Sequence, residues 1–275
     1  MNCIFSIYIQ NKNFDPKMAD RKYNDSVRFD AYEKHYQKLL WAKAEYATGI
    51  GAEFHMFDSR DRLDEFSRIY NISDMSMFDQ INFYKLHLLE ELSELYDNVL
   101  YLDFDVIPTT DEDFFDAHDM EKGIYVMARV PENTLDNLHK PKIWLHHTIR
   151  SPQTKYWNSH ALLLFDDLSV ENNTVFNTGI VASNAEFIKQ LDYFGEFGMD
   201  IKRMEDAKTD GLDVYPSELV DLFGFDNETL FAYKILKRQV PWVNLDDKWH
   251  HIFDKETLDR QAKLVHVINK EFEKV

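Results

Sequence analysis

"DNVLYLDFDVIPTTDEDFF", residues 97–115, decides the reading of the fold. The turn pair Asp97-Asn98 opens onto Val99-Leu100-Tyr101-Leu102, a run whose composition fits a buried strand. Asp103 and Asp105 follow, with only Phe104 between them. Side chains alternate along a strand, so an extended chain here puts both carboxylates on one side. Two anions placed so repel each other unless something positive sits between them. Asp-x-Asp after an apolar strand is therefore a natural divalent-cation site. Hard oxygen ligands suit Mg²⁺ or Mn²⁺, which fill their remaining positions with water and substrate phosphate. The plain alternative is an acidic turn facing water.

The preceding residues say what kind of sheet this strand belongs to. "CIFSIYI", residues 3–9, reads as a first buried strand that stops at Gln10-Asn11. Residues 28–48 carry Phe29, Tyr32, Tyr36, Leu39, Leu40 and Ala47 on one helical face, and Gly49 and Gly51 end that helix. "AEFHMFD", residues 52–58, is the next strand. Ile81, Tyr84, Leu88, Leu92 and Leu95 recur at spacings of three and four and mark a helix over 81–96. Strand, helix, strand, helix, strand predicts an α/β sheet with parallel members. Such sheets gather ligands at the carboxyl ends of their strands, where Asp103 lies.

Beyond residue 105 the pattern is less regular. Residues 130–175 mix Pro131, Pro141, Pro152, Trp144, Trp157 and the pair His146-His147 with many polar residues. They read as long loops with short elements, either functional or a surface excursion. "VFNTGIVAS", residues 175–183, predicts a strand, a tight turn and a strand, with Gly179 allowing close backbone approach. "DNETLFAYKILK", residues 226–237, carries a helical pattern within 217–238. "KLVHVIN", residues 263–269, is a short apolar run holding one imidazole, His266. It is either a satisfied core histidine or a third ligand, and an imidazole ligand favours Mn²⁺ over Mg²⁺.

The chain has 275 residues, 44% of them hydrophobic and 29% charged, enough for a globular α/β unit. Eight Gly and seven Pro leave little material for a flexible linker, so a single domain over 1–275 is expected. A net charge of −18 argues against a nucleic-acid partner, since phosphate backbones are gripped by clustered Lys and Arg. The lone Cys3 excludes an intramolecular disulfide and fits a reducing compartment. "MNCIFSIYIQNKN" is a poor signal peptide, and no apolar run is long enough to span a bilayer. The expectation is a soluble, cytoplasmic protein with no transmembrane segment.

Four stretches, in order, give the chain a resemblance. "FYKLHLLEELSELYDNVLYLDFDVI" is similar to the basic helix and metal-binding Asp-x-Asp strand of nucleotide-sugar glycosyltransferases of the GT-A fold, and among them the glycogenin-like members of glycosyltransferase family 8. "FNTGIVAS" resembles that family's Phe-Asn-Ser-Gly turn under the donor sugar. "FDNETL" is similar to its Asp-Gln-Asp segment, with Asn227 in place of Gln. "KLVHVINK" resembles the family's metal histidine with its trailing lysine, although Asn269 stands near where a glycine is usual and no Pro-Trp follows.

The resemblance implies a Rossmann-like, mixed and mostly parallel sheet flanked by helices. It implies a nucleotide-binding half over 1–105 and an acceptor half with the metal histidine over 106–275. It also implies site residues. Asp103, Asp105 and His266 hold Mn²⁺ or Mg²⁺, with Asp103 also facing the ribose. Tyr8, Asn177, Gly179 and Lys270 contact the donor, with Lys274 as a substitute for Lys270. Lys85, Asp226 and Asn227 act at the reacting centre. Lys85 would otherwise read as a solvated lysine on an amphipathic helix. The implied reaction moves a sugar from a nucleoside diphosphate sugar, a UDP-sugar first, to a carbohydrate, protein or small-molecule acceptor with retention of configuration. Trp144 or Trp157 would offer the acceptor sugar an aromatic platform. Two other readings exist: a haloacid dehalogenase-like phosphohydrolase, which also places Asp-x-Asp after an apolar strand, and a non-catalytic nucleotide-sugar binding module.

Overall fold

The computed structural model describes residues 1–10, 25–128, 152–210, 226–253 and 258–275. Trp144, the His146-His147 pair and the first part of the expected 217–238 helix lie outside the described residues, as does the Phe29 side chain.

β1 (Asn2–Ile7) leads through α1 (Asp25–Gly49) to β2 (Glu53–Phe57), which pairs parallel to it. α2 (Arg60–Ile69) and α3 (Met77–Ser93) then carry the chain to β3 (Asn98–Leu102), parallel to β1 on its other side. The connection thus reverses direction between β1 and β3, which opens a crevice at their carboxyl ends. Local chemistry starts the helices. Ser59 and Ser76 cap α2 and α3 by accepting from Arg62 N and Asp79 N. α3 begins four residues before the expected start, and Leu95, expected on its apolar face, lies beyond its end and is exposed.

β4 (Val106–Pro108), the one-turn α4 (Phe114–Ala117) and β5 (Ile124–Ala128) follow. α5 (Pro152–Phe165) corrects the expectation of loops through 130–175: this part is a four-turn helix, and Pro152 sits at its first position, where a missing N–H costs nothing. β6 (Phe176–Asn184) is buried at every position because helices or loops cover both faces. α6 (Ala185–Leu191), α7 (Phe197–Asp210), α8 (Asn227–Lys237) and β7 (Trp242–Asn244) come next, then β8 (His251–Phe253) and β9 (Leu264–Val267).

The main sheet has the order β2-β1-β3-β6-β5-β7, and β4-β9-β8 form a second, smaller sheet. Three of the five pairs in the main sheet are parallel and β6 runs antiparallel to both neighbours, so the architecture is mixed α/β with helices on its faces. Alternation divides the interior. Cys3, Phe5, Ile7, Val99, Tyr101 and Val181 point to a core shared with α2, α3 and α8. Ile4, Leu100, Leu102, Ile180 and Ala182 point to a second core closed by Tyr46 and Ala47 of α1. A third cluster, with Leu39, Phe104, Ile107, Val265, Val267 and Phe272, joins α1 to the small sheet directly beneath Asp103 and Asp105.

"VFNTGIVAS" is one strand, not two around a turn. Its register against β5 jumps, with Met127 opposite Asn177 and Val126 opposite Val181, so residues 178–180 leave that ladder as a bulge.

Candidate active site

β3 stops at Leu102, so the pleat does not align the two aspartates. A turn does, closed by Val106 N donating to the Asp103 carbonyl at 2.9 Å. Each aspartate is also fastened to a different sheet: Asp103 N donates to the Gly179 carbonyl at 2.7 Å, and Val267 N donates to the Asp105 carbonyl at 2.9 Å. From behind, the fully buried Lys43 of α1 donates to the Phe104 carbonyl at 2.7 Å. Burial pulls that ammonium down to about 7, while Asp105 and Asp103 push the other way. Phe104 itself turns inward and stacks on Tyr8 with ring centroids 4.6 Å apart.

His266 reaches the same place from β9, where it pairs in register with Val106. Its Nε2 lies 3.7 Å from Asp103 Oδ2 and 3.4 Å from Asp105 Oδ1. One ligand atom from each of Asp103, Asp105 and His266 can be chosen so that all three lie within 4.8 Å of one another. Two hard oxygens and an imidazole fit Mn²⁺ or Mg²⁺, and these residues are buried or half-buried, not an acidic turn in water. Nδ1 of His266 faces Nε2 of the fully buried His250 at 3.2 Å, which holds the ring's orientation. Gly179 makes room for it: a Cβ there would stand 2.4 Å from His266 Cε1.

Charges of both signs surround the trio. Lys270, in a left-handed backbone conformation with φ of 64°, pairs with Asp105. Burial pushes the Asp105 carboxyl up, but Lys270 and His266 outweigh it and hold it well below the usual carboxylate range. Lys274 pairs with Glu271 on the surface. Lys85 is buried, not solvated: its side chain is 3% exposed, with Nζ 3.6 Å from Asp103 Oδ1 and 5.3 Å from the centre of the Tyr101 ring. The Tyr101 hydroxyl donates to the same Asp103 oxygen.

Tyr8, Lys85, Asp103, Asp105, Asn177, Gly179, His266 and Lys270 therefore converge on the carboxyl ends of β1 and β3. Asn177 turns its Oδ1 back to Gly179 N at 2.9 Å. Asp226 and Asn227 stand at the start of α8, which packs against β6. Asp226 caps α8, accepting from Glu228 N and Thr229 N, and Asn227 Nδ2 donates to Thr178 Oγ1 at 2.9 Å. Trp157 is buried in α5 beside Tyr156 and His160, which does not suit a sugar platform. Besides Lys43, two charged residues escaped the sequence reading. Lys155 of α5 pairs with Glu228, and Glu228 Oε1 accepts from Thr178 N at 2.8 Å. Glu228 was visible as the third position of "DNE"; Lys155 sat in a region with no periodic signal.

The family model described as glycosyl transferase family 8 matches residues 1–192. No curated protein matches the chain. Among solved structures, the galactosyltransferase LgtC in complex with donor and acceptor sugar analogs is 10% identical, with 98% of this chain and 87% of that chain covered and a TM-score of 0.42. A glycosyltransferase involved in glycosylation of the major capsid of PBCV-1 is 11% identical, covering 97% and 92%, with a TM-score of 0.42. Mouse xyloside xylosyltransferase 1 is 11% identical, covering 79% and 75%, with a TM-score of 0.40.

Proposed function

The chain belongs to glycosyl transferase family 8, and from that premise we propose that it moves a sugar from a nucleoside diphosphate sugar, a UDP-sugar first, to a carbohydrate or protein acceptor with Mn²⁺ or Mg²⁺ held by Asp103, Asp105 and His266. The observation that carries this reading is the convergence of those three side chains at the β1–β3 crevice. When bound, the cation supplies Lewis-acid neutralisation of the diphosphate that leaves. The remaining roles fall to the protein. Lys85 and Lys270 place positive charge where the leaving group's charge grows. Tyr8, on its Phe104 stack, offers an aromatic surface for the nucleotide, and Asn177 and the Gly179 backbone line the sugar side.

We take the reaction to retain configuration, with the leaving phosphate accepting the acceptor's proton. What supports this is the engagement of the nearby carboxylates. Asp103 is bonded by Tyr101, Asp105 is paired with Lys270, and Glu228 with Lys155. Asp226 is committed to the first turn of α8. The proposal treats 1–275 as one unit, with the nucleotide side in 1–105 and the acceptor side in 106–275. No helix among the described residues is long and apolar enough to cross a membrane.

The test is a panel of nucleotide sugars incubated with Mn²⁺ and no acceptor, following release of the nucleoside diphosphate. Metal-dependent release from at least one UDP-sugar, lost in Asp105→Ala, is expected. Absence of both release and calorimetric binding across the panel sinks the proposal.

A further inference from the structure

We propose that the buried Lys155–Glu228 pair is a positioning device for the sugar half of the donor, acting by holding the Asn177–Gly179 backbone in its bulged shape; this rests on the glycosyltransferase reading above.

The bulge creates the need. Residues 178–180 leave the β5 ladder, and a main-chain N–H released from a ladder inside a protein must find another acceptor. Three partners share the work. Gly179 N donates to its neighbour Asn177 Oδ1, and the Gly179 carbonyl accepts from Asp103 N. Thr178 N donates to Glu228 Oε1, and the Thr178 hydroxyl lies 3.2 Å from the same oxygen. Glu228 is thus the tether that fixes the bulge at Thr178.

A neutral acceptor would satisfy one N–H without bringing a second charge into the interior. Glu228 is 8% exposed and so is Lys155. Burial pushes the Glu228 carboxyl up, but the ammoniums of Lys155 and Lys85 override it and bring it to about 2. It stays an anion and an acceptor, not a proton carrier. Buried ion pairs are poor stabilisers compared with apolar packing, and what such a pair contributes here is orientation. Lys155 Nζ also lies 3.5 Å from Asp226 Oδ2. The pair therefore ties α5, the first turn of α8 and the bulge of β6 into one body. The residues held are those that line the sugar side, while Asp105, His266 and Lys270 are fastened through β9 and the 103–106 turn, and Asp103 alone shares the bulge by donating its N–H to the Gly179 carbonyl.

This separation sets the experiment. Glu228→Ala, Glu228→Gln and the neutral double variant Lys155→Met/Glu228→Gln are compared with the wild type. Calorimetry with Mn²⁺ and UDP reads the nucleotide half, and KM and kcat for hydrolysis of the UDP-sugar that the wild type turns over fastest read the sugar half. Thermal melting is recorded for each variant. The expected result for Glu228→Ala is UDP affinity close to wild type with kcat/KM lower by about 10–100-fold, the scale of a buried donor left unpaired. Glu228→Gln, which keeps an acceptor for Thr178 N, recovers part of that loss. If Glu228→Ala does not fold, the neutral double variant carries the test, with a smaller loss of the same sugar-selective kind expected. Unchanged kcat/KM in folded variants overturns the inference, as does an equal fall in UDP and UDP-sugar affinity. A wild type that binds and cleaves no nucleotide sugar overturns the glycosyltransferase reading itself, and this inference with it.

Discussion

Lys85→Gln is the most informative single change, because the two readings of that lysine now differ in both stability and rate. The wild-type ammonium is 3.6 Å from Asp103 Oδ1 on a side chain only 3% exposed. At an effective dielectric of 20 that attraction is about 4–5 kcal/mol before desolvation. Asp103 is 28% exposed and can recruit water, so the net loss on removing the cation is smaller, about 1–3 kcal/mol. For a chain of this size that corresponds to a fall in Tm of about 2–6 °C. Gln keeps the helix propensity of α3, so a helix effect does not confound the measurement. On the rate side, a cation beside a leaving diphosphate gains interaction as charge develops, and losing it costs on the order of 10²–10³ in kcat with a smaller change in donor affinity. The assay is kcat for Mn²⁺-dependent donor hydrolysis, donor Kd by calorimetry and Tm, all on one variant. A solvated surface lysine predicts near-normal turnover and a stability change within about 0.5 kcal/mol. In a folded Lys85→Gln, wild-type kcat would refute the lysine's place in the chemistry, and wild-type Tm the ion pair's energetic role.

Asp105→Ala and His266→Ala each lower Mn²⁺ affinity by at least the roughly 10–100-fold seen when groups supporting a ligand are lost, with the fold kept; calorimetry and circular dichroism check this. Gly179→Ala brings a Cβ to 2.4 Å from the His266 ring and lowers Mn²⁺ affinity by displacing that ring, which the same titration reads. Glu90 accepts from Tyr193 N, and burial raises its carboxyl to about 7. A raised carboxyl contributes stability at low pH that is lost as pH climbs from about 4.5 through about 7, so Tm falls across that window; Glu90→Gln flattens the fall, a change of about 1–3 kcal/mol. Trp157→Ala lowers stability by about 3–5 kcal/mol, as for a core aromatic, instead of impairing acceptor use alone; chemical denaturation measures it.

The first half of the fold was legible because its signals are local. Apolar runs and helical spacing over residues 3–102 mark β1, α1, β2, α3 and β3 nearly where they occur. Leu95 was misjudged because spacing alone cannot say where a helix stops. The single strand at 176–184 was misread for a deeper reason. A glycine inside an apolar run signals either a turn or a bulge, and only the facing strand, β5, decides which. The site divides in the same way. Asp103, Asp105 and His266 were readable because ligand chemistry restricts residue type. Lys43, Lys155 and His250 were not, since a lysine or histidine that acts from inside a protein looks in sequence like any other. The expectation that the pleat aligns the aspartates identified the right pair for the wrong reason: the 103–106 turn does it.

The charge balance ties these threads together. A chain of net charge −18 repels anions at long range, yet the proposed donor carries a diphosphate. Repulsion of that kind comes from exposed carboxylates and is screened within a Debye length of about 8 Å at physiological salt. Cations held inside the protein escape most of that screening. Lys85 and Lys155 are buried, and Lys270 has a side chain only 11% exposed. Each is anchored to a different partner: Lys85 to Asp103, Lys155 to Glu228 and Lys270 to Asp105. Each partner restrains its lysine, so the positive charge is fixed in place and not free to follow an arbitrary polyanion. The acidic composition that argues against a nucleic-acid backbone is therefore compatible with one compact anionic ligand. Selectivity for such a ligand follows from where the few interior lysines are anchored, against a surface that turns longer polyanions away.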